Sequence, residues 1–248
     1  MNPGLVAVVP VFNEAATVGR VVRQLRRVCP VIVVDDGSTD DGAARAAAAG
    51  ASRVVRTPRR AGKGAALRAG FAAALGMGAT AVATLDGDGQ HDPADLPRLI
   101  AAAHRAPRAL VVGDRLGGRG GDRIPVLRLG AIRISDRALA WVTRTTLKDT
   151  QCGFRIYPAV LLAAITLREG GFVLETEALV RAVQAGYPVI SVPVRAIYPP
   201  DRAGRFRAVA DGARIARYLL GEFRRGVGRR VRATWARRLR LLFPAADA

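Results

Sequence analysis

Residues 80–92 read TAVATLDGDGQHD, an apolar run of strand character that stops on two aspartates two apart, with Gln90 two further on. The run is short, continuous and bounded by glycines, as in strands covered on both faces of a parallel sheet. Four more runs of this kind stand along the first half of the chain: LVAVVPVF (5–12), VIVVDD (31–36), RVVRT (53–57) and ALVVGD (109–114). Between them lie amphipathic or alanine-rich stretches of helical spacing, including ATVGRVVRQLRRV (16–28) and KGAALRAGFAAALGMG (63–78). Alternating strand and helix predicts a doubly wound α/β fold, a mostly parallel sheet with helices on both faces.

In such sheets ligands bind beyond the carboxyl ends of the strands. Four of the five runs lead into acidic or turn-forming residues: NE after the first, DDGSTDD after the second, DGDGQHD after the fourth and GDR after the fifth. That edge is the expected site. If the chain after Leu85 stays extended, Asp86, Asp88 and Gln90 point the same way. Three hard oxygen donors suit Mg2+ or Mn2+ with positions left open for phosphate. The alternative is a turn, since DG twice over is also strong turn chemistry. An EF-hand is excluded, because its required Gly and Glu fall on His91 and Pro97. In GKGAALRAG (62–70), Lys63 at a helix start would attract phosphate, or is simply a solvated helix start. It is not a P-loop: Gly64 stands where Ser or Thr would be needed. In DDGSTDD, Ser38 and Asp40 are good helix caps, while the neighbouring acids remain available to a ligand.

The composition bounds the rest. Of 248 residues, 39 are Lys or Arg and 20 are Asp or Glu, a net charge of +19, which implies an anionic partner. Only Lys63 and Lys148 are lysines, so the charge is almost all arginine. No apolar run nears the ~20 residues of a spanning helix, and the N-terminus carries no basic leader. Cys29 and Cys152, far apart, suit the cytoplasm. Beyond residue 200 arginines recur at nearly every turn among Phe206, Ile215, Tyr218, Leu219, Leu220, Phe223, Trp235 and Phe243. Residues 1–205 are therefore expected to form one domain and 206–248 a basic amphipathic helical tail. The tail is expected to lie on an anionic leaflet; the alternative is a helix packed on the domain with a solvated arginine face.

Taken in order, VPVFNE, VVDDGSTD, GKGAALRAG, LDGDGQHDP, GDR, DTQCGFRIYP (149–158), FVLETEALVRA (172–182) and YPPDRAGRFR (198–207) resemble family 2 inverting glycosyltransferases, in their dolichyl- and polyprenyl-phosphate sugar synthase branch. The likeness runs over about residues 5–207. It implies a GT-A fold and a GDP- or UDP-linked sugar donor. Pro10, Phe12, Glu14, Asp35 and Asp36 match the family's base and ribose contacts, and Asp86, Asp88 and Gln90 its metal set. Arg115 with Arg128 or Arg133 matches the region that holds an acceptor phosphate. A lipid phosphate needs no strong base; a hydroxyl acceptor does, and then Asp149 or Glu175 would serve. Arg202 and Arg205 match a mobile basic loop over the diphosphate. The likeness also implies an enzyme at the cytoplasmic face of the membrane, with a membrane subunit possible in place of spanning helices.

Departures bear on the acceptor: Asp114 where Ser is common, Ala131 where Asn is common, and Arg205-Phe206 in place of Ser-Lys. Rival readings are a nucleic-acid-binding protein, for which the tail lacks a reading motif, a nucleotidyltransferase, and a non-catalytic sugar-nucleotide binder.

Overall fold

The computed structural model describes residues 4–117, 124, 126–198 and 210–226. Seven strands form one sheet in the order β3-β2-β1-β4-β6-β5-β7. These are β1 (Leu5–Val11), β2 (Val31–Asp35), β3 (Arg53–Arg56), β4 (Ala81–Thr84), β5 (Leu110–Asp114), β6 (Arg155–Pro158) and β7 (Val189–Pro193). Pairing is parallel throughout except at β6, which lies antiparallel between β4 and β5. All five apolar runs read from the sequence are strands. In β2 and β5 every residue is buried, so both faces of the sheet are covered.

The covering helices follow their spacing. α1 (Ala15–Leu25) buries Val18, Val21, Val22 and Leu25, the i, i+3, i+4, i+7 stripe of a one-sided helix. α2 is Gly42–Ala48. α3 (Lys63–Gly76) has no polar face to turn outward; it lies so close to the sheet that a Cβ on Gly70 would overlap Val8 Cγ1. α4 (Leu96–Arg105) packs on β5 and β6, followed in the chain by α5 (Val126–Thr143), α6 (Ala159–Ala164) and α7 (Val173–Gln184).

Residues 210–226 are helical and belong to the same core: Ile215, Tyr218 and Leu219 are buried in it. Glu222, almost fully buried, ion-pairs with Arg181 of α7. One face of this helix is thus packed on the domain, within the stretch expected to begin a tail at residue 206. Residues 227–248 lie outside the described residues, as do Arg202 and Arg205.

Candidate active site

Because β1, β2, β4 and β5 run the same way, their carboxyl ends open on one edge. A cleft of about 670 Å³ lies there, lined by Pro10, Phe12, Glu14, Asp36, Lys63, Asp86 and Asp88, all named from the sequence. Arg60, Phe172, Asp211 and Arg214 line it too and were not. The Arg60 guanidinium lies 4.2 Å over the Phe12 ring.

The two loops at the head of the cleft are sewn together. Asn13 N donates to Ser38 Oγ, Thr39 N to Asn13 Oδ1, and Ala15 N to Asp40 Oδ2. Asp40 thus serves the start of α1 as well as its own Gly42 N. The adjacent acids differ from the sequence expectation. Asp35 does not line the cleft: it is fully buried, accepts from Ser38 N and lies 3.2 Å from Arg56 Nε. Both Asp36 oxygens accept backbone N–H groups, from Ala61 and Gly62 at 2.7 Å. Asp36 therefore sets the turn into α3, where Gly62 takes φ 92°, and so places Lys63.

The Lys63 ammonium lies 2.7 Å from Asp86 Oδ1 and 3.1 Å from Glu175 Oε2, beside the Phe172 ring. Burial works against its charge, but the two carboxylates more than offset that, and its pKa stands above the ordinary lysine value. Burial likewise opposes ionisation of Asp86, and Lys63 more than offsets it, so Asp86 titrates below the usual carboxylate range. Asp88 goes the other way. Burial, then the charges of Asp86 and Glu14, push it up to about 6.

The chain at this point is a turn, not a continued strand. β4 ends at Thr84, Gln90 N donates to Asp88 Oδ1, and Gly89 has φ 76°. The expected alternation of side chains is thus corrected. Asp86 and Asp88 still share the cleft, while Gln90 joins Asp86 in a chamber of about 30 Å³ behind it. The donor chemistry fits a divalent cation: the charge of Asp86 opposes ionisation of Asp88, the buried Gln90 lines a chamber with Asp86, and a cation would relieve the repulsion. Among the described residues no group of three His, Cys, Asp or Glu gathers, so the set would be carboxylate, carboxylate and amide.

The chamber is also lined by His91, Arg115, Ala131, Ile132 and Gln151. Arg115 is buried and held by Asp149, with Nε to Oδ2 and Nη2 to Oδ1 both at 2.7 Å and the Arg115 N–H to Oδ2 at 2.9 Å. Asp149 has φ 47°, and its N–H donates to Asp136 of α5. Asp149, a candidate base, is thus the seat of Arg115. Glu175 stands by Lys63, while Glu177 accepts the N–H groups of Arg168 and Glu169. Asp114 accepts from Leu116 N at the end of β5. His91 is buried, packs on Phe154, and burial pushes it down to about 4, so it is neutral. Of the arginines expected near an acceptor, Arg133 is exposed and does not line the chamber; Ala131 and Ile132 do. Arg128 lies within α5, and its side chain is outside the described residues.

Two further residues hold the site together. Gly153 packs where a Cβ would lie 2.7 Å from Asp86 Oδ2. Arg155, fully buried in β6, donates to the carbonyls of Cys152, Thr150 and Glu175 at 2.6–2.7 Å, tying the 149–153 loop to the start of α7. Both stand in the motif DTQCGFRIYP, but nothing in their spacing marks them out.

Residues 6–163 match the family described as glycosyl transferase family 2. Over 199 residues the chain is 31% identical to the polyprenol monophosphomannose synthase of Mycolicibacterium smegmatis, covering 75% of each chain. It is 29% identical over 208 residues to the undecaprenyl-phosphate mannosyltransferase of Micrococcus luteus, covering 77% of this chain and 82% of that one. The fold is also that of glucosyl-3-phosphoglycerate synthase from Mycobacterium tuberculosis, solved in complex with Mn2+, uridine diphosphate and phosphoglyceric acid. The TM-score is 0.67 at 24% identity, over 89% of this chain and 77% of that one.

Proposed function

The chain belongs to glycosyl transferase family 2, and from that premise we propose that it moves one sugar from a GDP- or UDP-linked donor to a polyprenyl phosphate at the cytoplasmic face of a membrane, with inversion. One observation supports an anionic acceptor above others. The two carboxylates named from the sequence as a base are each committed to a cation, Asp149 to Arg115 and Glu175 to Lys63. An acceptor that is already an anion needs neither. Its phosphate oxygen forms the bond to the anomeric carbon, the bond from that carbon to the donor's diphosphate breaks, and the nucleoside diphosphate leaves with the electron pair.

In this reading the base lies against Phe12 and Arg60, with Glu14 taking ribose hydroxyls. Asp86, Asp88 and Gln90 would hold Mg2+ or Mn2+, which when bound supplies positive charge to the leaving diphosphate. The Mn2+ and uridine diphosphate in the Mycobacterium tuberculosis structure support such a cofactor and donor class. The two lipid-phosphate relatives support the acceptor. Arg115, permanently charged and fixed by Asp149, would face the acceptor phosphate from the chamber. Among the described residues no helix is long and apolar enough to cross a membrane; in this reading a surface of the domain, or a separate membrane subunit, supplies the lipid contact.

The test is transfer itself. The full chain is incubated with Mn2+, sugar-labelled GDP- and UDP-hexoses, and a polyprenyl phosphate in detergent. The expected result is label in the organic phase, in step with nucleoside diphosphate release. Release of pyrophosphate, or label that stays in water as free sugar, would contradict the proposal.

A further inference from the structure

α5 has two unlike faces. Inward it buries Ile132, Ser135 and Leu139 and gives Ala131 and Ile132 to the reaction chamber. Outward it shows Val126, Ile134 and Trp141, with 85%, 69% and 60% of their surfaces exposed. These three fall on one side of the helix, together with the exposed Arg133 and Arg137 and with Arg144 just past its end. No acid stands on that side. The helix's one carboxylate, Asp136, is turned to Thr150 and Asp149. Single exposed apolar residues need no explanation, but three on one helical stripe, interleaved with arginines, do.

The stripe continues onto a second helix. Trp141 stacks on Phe223, ring centroids 3.8 Å apart at 20°. One turn before Phe223 stands Leu220, 48% exposed, between the exposed Arg217 and Arg224.

We propose that this outer face of α5, with the Arg217–Arg224 stretch beside it, is the surface by which the enzyme sits on an anionic lipid bilayer. The arginines meet lipid phosphates while Val126, Ile134 and Trp141 enter the acyl boundary. Five exposed arginines, with the one carboxylate of the stretch, Glu222, buried and paired to Arg181, match an anionic leaflet, whereas a protein partner would be expected to meet exposed groups of both signs. The inference rests on the lipid-acceptor reading and adds geometry to it. A helix is about 10 Å across, so a phosphate in the headgroup layer under α5 lies about one helix diameter from the chamber that holds Arg115 and Asp86. The docking surface is thus built into the catalytic domain, not confined to residues after 226.

The test is flotation of the full chain with vesicles of phosphatidylcholine, with and without phosphatidylglycerol and without any polyprenyl phosphate. Binding to the anionic vesicles alone, weakening as salt rises, is expected. Val126→Glu/Ile134→Glu should lower partitioning at least about tenfold. Arg137→Gln/Arg144→Gln should lower it roughly 25-fold, about fivefold per arginine. Both pairs should leave Tm and nucleoside diphosphate binding as in the wild type. Wild-type partitioning by both pairs would overturn the proposal, as would failure of the wild type to float. Since the vesicles contain no acceptor, failure here beside a positive transfer assay would overturn the surface alone, and flotation beside a negative one would overturn the acceptor alone.

Discussion

Gly153→Ala isolates the geometry of the charged cluster from the stability of the fold. A methyl group there would lie 2.7 Å from Asp86 Oδ2, 3.0 Å from Glu175 Oε1 and 3.1 Å from Lys63 Nζ. All three are ends of side chains, so the backbone stays and the cluster yields. To reach the ~3.4 Å of ordinary contact, the Asp86 oxygen must retreat by about 0.7 Å. Gly153 is not among the glycines with positive φ, so alanine stiffens the unfolded chain by about 0.4–1 kcal/mol in favour of the fold. Tm should therefore change by no more than ~3 °C. Displacements near 1 Å in a reacting constellation cost on the order of 100-fold. The expected loss in kcat/KM is roughly 10- to 100-fold, or about 1.4–2.7 kcal/mol of transition-state stabilisation. Initial rates of nucleoside diphosphate release measure it, with calorimetry of the Mn2+-diphosphate complex alongside. Turnover within twofold of wild type, at unchanged Tm, would refute the placement of Asp86 by Gly153.

Asp88, pushed up to about 6 from 3.8, keeps a proton in the folded chain that the unfolded chain has lost, so ionising it removes stability as pH rises across that window. His91, pushed down to about 4 from 6.5, is neutral in the folded chain while the unfolded chain is protonated, so it adds stability as pH rises over nearly the same range. The two offset one another in Tm, but not in metal affinity: Mn2+ binding should strengthen about tenfold per pH unit up to about 6 and then level off, and a flat calorimetric profile from pH 5 to 8 would contradict it. Asp149→Asn leaves the Arg115 guanidinium buried without its counter-charge and should cost about 3–5 kcal/mol, read by denaturant unfolding. Arg155→Met leaves three buried carbonyls unpaired and should cost at least ~3 kcal/mol, whereas Arg155→Lys, keeping the charge, should recover part of it.

Five of the seven strands were legible because they read as short, unbroken valine-rich runs, and their carboxyl-edge acids then located the cleft; β7, only half-buried along its length, was not among them. β6 was hidden by its own Arg155. A guanidinium in a four-residue strand reads as surface, and only the folded chain brings three carbonyls around it. The direction of single acids was equally opaque. Asp35 and Asp36 are neighbours, yet one is buried at the end of β2 with Ser38 and Arg56 and the other lines the cleft. A step of one residue on a helix turns about 100°, enough to set Arg133 outside while Ile132 faces the chamber. At 210–226 Ile215, Tyr218 and Leu219 were visible in the sequence, but their i, i+3, i+4 spacing suits a helix on a leaflet as well as one on a core, and only the folded chain shows that they meet the core.

In the proposed reaction the Asp86–Asp88 turn clamps a nucleoside diphosphate through a divalent cation. Calorimetric titration of the full chain with GDP and with UDP, each with and without Mn2+, in wild type and in Asp88→Ala, tests it most directly. One of the two nucleotides should bind in a Mn2+-dependent manner to the wild type, and the variant, folded at the same Tm, should lose at least about 100-fold of that affinity. Equal binding with and without Mn2+, or an Asp88→Ala chain that binds as the wild type does, would contradict it.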